Sequence, residues 1–409
     1  MYKNNYLNDL SAKQQMNLIN KNYFNEKKLE IYEYNNAYIL PVVKMNISKP
    51  TFLGGVVDCN KNFIKTSGQY SYGTNDKVVD SYDFDSDDVE YFDEEVIYMN
   101  MFFNQWGHFL VDSITRLYYA IEKNYKIAYI SLNETDSLLS MNNNHFLQIL
   151  ELMGIDKNRL LSIKKVSKFK KVIIPELCLF PGLYYTKEYI QTINSIIDSA
   201  LKNKKLIQDR KIYCSRLKYG IASRKDINEK EIEEIFKNNG YEVVYLEDYS
   251  ASEQICLLNS CKEIVCSSGT LSHNCVFVKN SNCNFTILNK TYRTNVLQYQ
   301  LNQISKANIC FVDAYISALP VSNGKGPFLF VKTDQFVNYC DENKLKLDKA
   351  KTIKVSNLID YYYRWIKFYR KRIFEYKEIG KSDLPECRIA YKDIRKNYRK
   401  EIRKYKFVI

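Results

Sequence analysis

Three segments bring together residue types that could move a proton or hold a phosphate. In NQWGHFLVDSITRL (104–117), His108, Asp112 and Arg116 recur every fourth residue, so a helix would carry them on one face, close to Asn104. A histidine or carboxylate at such a helix start can deprotonate a hydroxyl within hydrogen-bond reach. The same spacing also suits a plain structural purpose, a satisfied histidine and an ion pair between Asp112 and Arg116. In SRLKYGIASR (215–224), Arg216 and Arg224 bracket a polar loop, and the planar guanidinium suits two-pronged binding of a diphosphate. In SSGTLSHN (267–274), Ser267, Ser268 and Thr270 supply hydroxyls and Gly269 permits close backbone approach. A helix beginning there points free N–H groups outward, with His273 and Asn274 one turn in. Helix capping by Ser268 or Thr270 is the structural alternative for that turn.

These residues depend on strand ends for their placement. Strand KIYCSR (211–216) leads to a helix over 228–239, with Asn228 as N-cap, Glu231 three residues on and Gly240 past the end. YEVVYL (241–246) follows, then a helix opened by Ser250 with Glu253 at the capping-box position, then EIVCS (263–267) and FTIL (285–288). Strands alternating with helices imply right-handed crossovers and a parallel sheet, whose ligands sit beyond the carboxyl ends of the strands. Arg216, Glu247 and Ser267–Asn274 all fall there.

An earlier unit has a similar plan. It runs through EVIYMN (95–100), a helix from about Gln105 to Lys123, KIAYISL (126–132), a helix around 142–153 and KKVIIPE (170–176). Residues 31–100 carry short strand patterns broken by Gly, Asn and Asp, which predict hairpins or an antiparallel extension. Residues 1–30 read as partly helical, 186–204 as a helix bridging the two units and 318–327 as a loop. At 409 residues the expectation is two α/β domains, each with its own core, and a cleft between them.

Composition narrows the function classes. The hydrophobic fraction of 45% is that of a globular protein. No window approaches the ~18 apolar residues of a membrane span, and the first residues lack the apolar core of a signal peptide, so a cytoplasmic location is expected. The 11 cysteines form no C-x-x-C pair, and evenly spaced Cys256, Cys261 and Cys266 read as buried apolar residues, so no metal site is expected. The overlapping D-x-D patterns in DSYDFDSDD (80–88) read as a solvated acidic loop. With no G-x-G-x-x-G, P-loop, H-E-x-x-H or G-x-S-x-G, hydride transfer, nucleoside triphosphate hydrolysis and serine esterase chemistry lose their usual marks. The charge of +13 is concentrated in a basic tail: Arg364–Lys406 holds 16 Lys or Arg against 6 Asp or Glu, a net +10. Attraction to an anionic membrane face, at about 1 kcal/mol per basic residue, competes there with a solvated helix packed on the first domain. Nucleic acid is the weaker reading.

Taken in order, NQWGHFLVDSITRL, the stretch from Ser215 to Val244, SASEQICLLNSC and IVCSSGTLSHNCVF resemble the family-61 glycosyltransferases, over roughly residues 95–290. One departure is visible: many members carry His-Gly-Ala-Gly where this chain has Ser267-Ser268-Gly269-Thr270, so that histidine's contact would come from elsewhere, with His273 a candidate. The resemblance implies a GT-B-type architecture, two Rossmann-like domains facing across a cleft. On that plan residues 1–95 extend the first domain, 96–205 form the acceptor-side α/β domain, 206–330 bind the nucleotide sugar and 331–409 form a C-terminal helical basic tail. It also implies inverting transfer from a nucleotide sugar to a glycan hydroxyl in bacterial surface polysaccharide synthesis, with no metal and no cofactor beyond that co-substrate. The basic tail would suit an enzyme that works on a lipid-linked glycan at the inner face of the membrane. Asp112 is then the expected base, with His108 orienting it or touching the donor, and Asn104 and Arg116 lie on the acceptor side. Arg216, Arg224, Glu247 and the 267–274 turn take the donor. Two other readings share this plan, a polysaccharide pyruvyltransferase-like enzyme and a degenerate scaffold that binds glycan or membrane.

Overall fold

A computed structural model describes residues 5–44, 52–71, 75–131, 138–139, 144–220, 225–316, 326–348, 353–378, 380 and 384–405. The first nine strands in chain order are β1 (Ile31–Asn35), β2 (Tyr38–Lys44), β3 (Phe52–Val57), β4 (Gln69–Ser71), β5 (Asn75–Asp80), β6 (Glu90–Phe102), β7 (Lys126–Ser131), β8 (Leu160–Ile163) and β9 (Ser167–Pro175). They form one sheet in the order β4-β5-β3-β2-β9-β6-β7-β8, with β1 also on β9. The strands β6 to β9 pair in parallel. The hairpins expected over 31–100 form as β2 with β3 and β4 with β5, and β1 and β2 meet β9 antiparallel as an extension of the sheet. In the parallel block the direction of winding reverses between β6 and β9.

A short hairpin of β10 (Leu179–Phe180) and β11 (Tyr184–Tyr185) leads to the helix Lys187–Leu201. Then come β12 (Arg210–Cys214), β13 (Asp226–Ile227), β14 (Glu242–Val244), β15 (Cys261–Ser267), β16 (Asn284–Asn289), β17 (Asn308–Asp313) and β18 (Phe328–Leu329). Five of these make a wholly parallel sheet, ordered β14-β12-β15-β16-β17, while β13 and β18 pair with each other. Its interior strands are buried on both faces, which is why β15 and β16 read as continuous apolar runs in the sequence. Here winding reverses between β12 and β15, the kind of switch point at which α/β sheets bind ligands.

The helix Glu229–Asn238 buries Ile232 and Phe236 and stops at Gly240, whose φ of +80° suits glycine. Its start differs from expectation. Asn228 adopts a left-handed backbone and makes no capping bond; its amide donates to Glu231 and to the carbonyl of Phe330 instead. The capping box of Ser250 and Glu253 forms as predicted.

Packing corrects the expectation of two independent cores. One apolar cluster contains Ile97, Phe102 and Phe109 from around the first sheet together with Ile212, Ile264 and Phe277 from around the second. The helices covering the facing sides of the two sheets therefore bury their apolar stripes partly on each other. Contacts also cross two of the expected boundaries. Residues 5–20, expected with the first domain, lie against the second sheet: Tyr6 bridges to Val312, and the backbone of Asn8 donates to Asp313. Residues 331–345, expected in the tail, contribute Phe336, Tyr339 and Cys340 to the outer core of the second sheet.

β6 is interrupted near its end by a register shift, where Asn100 takes φ +124°. This strained residue accepts a bond from Arg116 Nε at 2.9 Å. The other guanidinium nitrogens of Arg116 donate to the carbonyls of Thr66, at 2.6 Å, and Pro175. One buried cation thus ties β6, β9 and the turn before β4 together. Arg116→Met should lower stability by about 3–5 kcal/mol, read from the midpoint of urea unfolding, because it strands two buried acceptors and the half-buried Thr66 carbonyl.

Candidate active site

The segment after β6 is not the single helix its periodicity predicts. It runs as an α-turn (Trp106–His108), a π segment (Phe109–Ser113), a 3-10 turn (Ile114–Arg116) and an α-helix (Tyr118–Glu122). Side chains compete for its carbonyls: Thr115 Oγ1 donates to Asp112 O at 2.7 Å and Tyr189 OH to Leu110 O at 2.9 Å. The predicted stripe splits as a result. His108 Nδ1 and Asp112 Oδ2 lie 2.6 Å apart, while Arg116 turns into the scaffold. Widened turns of this kind concentrate at functional sites. Asn104 is exposed just ahead of His108.

On the second sheet, Ser267 ends β15 and is buried, and the next N–H, of Ser268, bonds Leu288 O at 2.9 Å. Gly269 is exposed at φ +125°, and Thr270–Phe277 continues as a 3-10 helix. Four charged groups gather beneath this turn. Asp226 lies 3.5 Å from Arg216 Nη1 and 3.1 Å from Lys290 Nζ. Glu229 Oε1 accepts the backbone N–H of Arg216 at 3.0 Å. A Cβ on Gly269 would stand 3.8 Å from Arg216 Nη1 and 4.0 Å from Lys290 Nζ, so both cations lie against the bare backbone of the turn. Burial, and then the charge of Asp226, push the Glu229 carboxyl up to about 7. Burial also draws the Lys290 ammonium below its usual range, against the pull of Asp226.

The two groups meet at a tight seam. A Cβ on Gly107 would fall 3.2 Å from His273 Nδ1 and 3.4 Å from Thr270 Oγ1. Trp106 Nε1 donates to Asn274 Oδ1 at 2.7 Å. His273 is buried with neither ring nitrogen hydrogen-bonded among the described residues. Burial, reinforced by nearby His108, lowers its pKa to about 4, so the ring is neutral at neutral pH. The turn from Ser267 to Asn274 therefore meets the cations at Gly269 and, at Thr270, His273 and Asn274, the Trp106–Gly107 step that leads into the His108–Asp112 pair.

Of the residues singled out in the sequence, His108, Asp112, Arg216 and the 267–274 turn converge, with Asn104 beside them. Arg116 does not: it is buried among structural acceptors and cannot meet an acceptor sugar. Glu247 is exposed beyond β14, which β12 separates from β15. Arg224 and most of the 318–327 loop lie outside the described residues. The acidic stretch 80–88 is largely exposed and leads into the start of β6, at the opposite end of that strand from His108. Among the described residues no group of three His, Cys, Asp or Glu side chains could hold a metal ion. Sequence reasoning missed Lys290 and Asp226, and took in Glu229 only as part of the stretch from Ser215 to Val244 that resembles the family. The available signal for Lys290 was its position after β16, which runs to Asn289 rather than stopping at Leu288.

Residues 106–285 match the model of the Glycosyltransferase 61 family. The chain carries a glycosyltransferase 61 domain. No curated protein matches the chain. The family-61 segment opens at Trp106, on the seam, and takes in His108, Asp112, Arg216, Asp226, Glu229 and the whole 267–274 turn. Lys290 lies just beyond its end, as do the two C-terminal helices.

The raised Glu229 carboxyl carries a pH signature. Its folded pKa of about 7 exceeds the unfolded value, so the folded state binds the proton more tightly. Stability should fall as pH rises from about 4.5 to about 7, by up to about 3 kcal/mol from this group. Glu229→Gln, which keeps an acceptor for the Arg216 N–H, should flatten that decline in urea unfolding curves across the same range.

Proposed function

We propose that this family-61 glycosyltransferase moves a sugar, with inversion, from a nucleotide sugar to a glycan hydroxyl, without a metal, in bacterial surface polysaccharide synthesis. The observation that carries the reading is the common turn: Arg216 and Lys290 lie against Gly269, while Gly107, next in the chain to the His108–Asp112 pair, lies against Thr270 and His273. A single displacement needs these two groups on either side of the reacting carbon, in the manner of a GT-B enzyme with its donor on the second sheet. The acceptor oxygen attacks the anomeric carbon as the bond to the diphosphate breaks, and the hydroxyl proton passes to the base.

Exposure favours His108 as that base. Its side chain keeps 21% of its surface exposed against 5% for Asp112, so an acceptor reaches the imidazole first. Asp112 then orients the ring through Nδ1, the reverse of the assignment that the sequence favoured. On the donor side, Arg216 and Lys290 meet the charge of the departing diphosphate, and the first-turn N–H groups after Gly269 add to it. Lys290 is preorganised by Asp226, so little rearrangement is needed at the moment of transfer. The basic C-terminal helices suit a lipid-linked acceptor at the inner face of the cell membrane.

The test is a calorimetric screen of nucleoside diphosphates and their sugars, with and without EDTA. One nucleotide class should bind regardless of EDTA, and Arg216→Ala or Lys290→Met should weaken it by about 10- to 100-fold. His108→Ala and Asp112→Asn should keep donor affinity and lower turnover by about 10²- to 10⁴-fold. Near-native turnover in both would overturn the catalytic assignment.

A further inference from the structure

The helices Val355–Glu378 and Leu384–Tyr405 pack on each other through Tyr362, Trp365, Tyr369, Cys387 and Ile394. The same apolar cluster takes in Ile227, Phe328 and Leu329 from β13 and β18, on the second sheet's side of the molecule rather than the first. Trp365 Nε1 donates to Pro327 O at 3.0 Å, and Asn357 Nδ2 to Asn228 Oδ1 at 3.1 Å. The helix pair is thus fixed to the strand that carries Asp226, and its aromatic side is already occupied.

The other side is unpartnered among the described residues. On the first helix Ile359, Tyr363, Lys367, Arg370, Phe374 and Lys377 follow at intervals of three or four, so they form one stripe, and all are exposed. Across both helices 11 exposed Lys or Arg stand against 4 exposed Asp or Glu. Large apolar side chains sit within that charge: Tyr363 is 60% exposed, Phe374 67% and, on the second helix, Ile389 60%. We propose that this face docks on an anionic lipid surface, with the lysines and arginines on the headgroups and Phe374, Tyr363 and Ile389 entering the interface.

Two physical terms favour lipid over nucleic acid. Headgroup phosphates attract the basic residues at about 1 kcal/mol each close to the surface, as any polyanion would. A bilayer also gains from exposed aliphatic and aromatic groups beside that charge, whereas a phosphodiester backbone gives nothing to Ile389. Docking is peripheral, since no described helix is long and apolar enough to cross a membrane. Because the helices are anchored to β13 and β18, docking would hold the Asp226–Lys290 floor of the site at a set height above the lipid. The proposal does not depend on the transfer reaction.

Flotation of the full chain with phosphatidylcholine vesicles, with and without phosphatidylglycerol, tests it. Binding should require phosphatidylglycerol and be lost in molar salt. K367E/R370E/K371E should weaken it roughly a hundredfold and F374S/I389S roughly tenfold. Nucleotide binding should stay unchanged in both, since all five positions are exposed. Deleting the helices would bare Phe328 and Leu329, so point variants are the sound probe. Absence of flotation, or equal flotation with neutral vesicles, would overturn the proposal. So would full-strength vesicle binding by both variants, or retention on single-stranded DNA by a chain that ignores the vesicles.

Discussion

Gly107 and His273 approach so closely that a Cβ at position 107 would fall 3.2 Å from the imidazole, which would have to give by a few tenths of an ångström. With the Trp106–Asn274 bond beside it, this contact sets the end of β6 against the end of β15. Everything chemical in the molecule follows from that registration. The π segment that pairs His108 with Asp112 starts at the seam, and the turn that meets the cations is its other wall. A shift of one residue on either side would carry a polar group out of the common space and into the apolar cluster shared by the two sheets. The close packing at this contact also leaves both ring nitrogens of His273 without a hydrogen bond among the described residues and keeps the ring neutral.

Behind the turn lies a buried arrangement of two cations and two carboxylates. Burying unpaired charge is costly, and removing one partner of such a pair costs more than the pair stabilises. Asp226 resolves this for Arg216 and Lys290 at once, while Glu229 resolves it by holding its proton more tightly and accepting a backbone N–H. The cations are therefore held in position before any anion arrives, at a place where the glycine backbone leaves room for one. Folding, not the ligand, does the work of assembling them. Arg116 shows the same economy for a different end: a buried guanidinium fully committed to backbone and amide acceptors, and so unavailable for substrate.

Much of this was legible in advance. The alternation of apolar strands with capped helices from Lys211 to Leu288 is a local property, and the parallel sheet follows from it with strand ends close to those expected. The Ser250–Glu253 capping box formed because both residues act within one turn. Asn228, the cap next to it in kind, failed because Phe330 and Asn357, distant in sequence, offered its side chain better partners. The helix after β6 failed for the same reason. Thr115, Asn100 and Tyr189 bid for its carbonyls, and no periodicity count sees Asn100 or Tyr189.

The sequence by itself determined the secondary structure that repeats locally, the strand ends at which chemistry would gather, the resemblance of the central segment to family 61, and the concentration of positive charge near the end. These are set by side-chain type and spacing over a few residues. Only tertiary structure decided which of the charged residues share a site. Lys290 and Asp226 are far apart in sequence and meet because β13, through β18, packs beside the end of β16. Likewise Arg116 became scaffold and His108 the exposed partner through bends that side chains elsewhere impose. Burial and long-range hydrogen bonding made those choices, and neither is written in the spacing of any one segment.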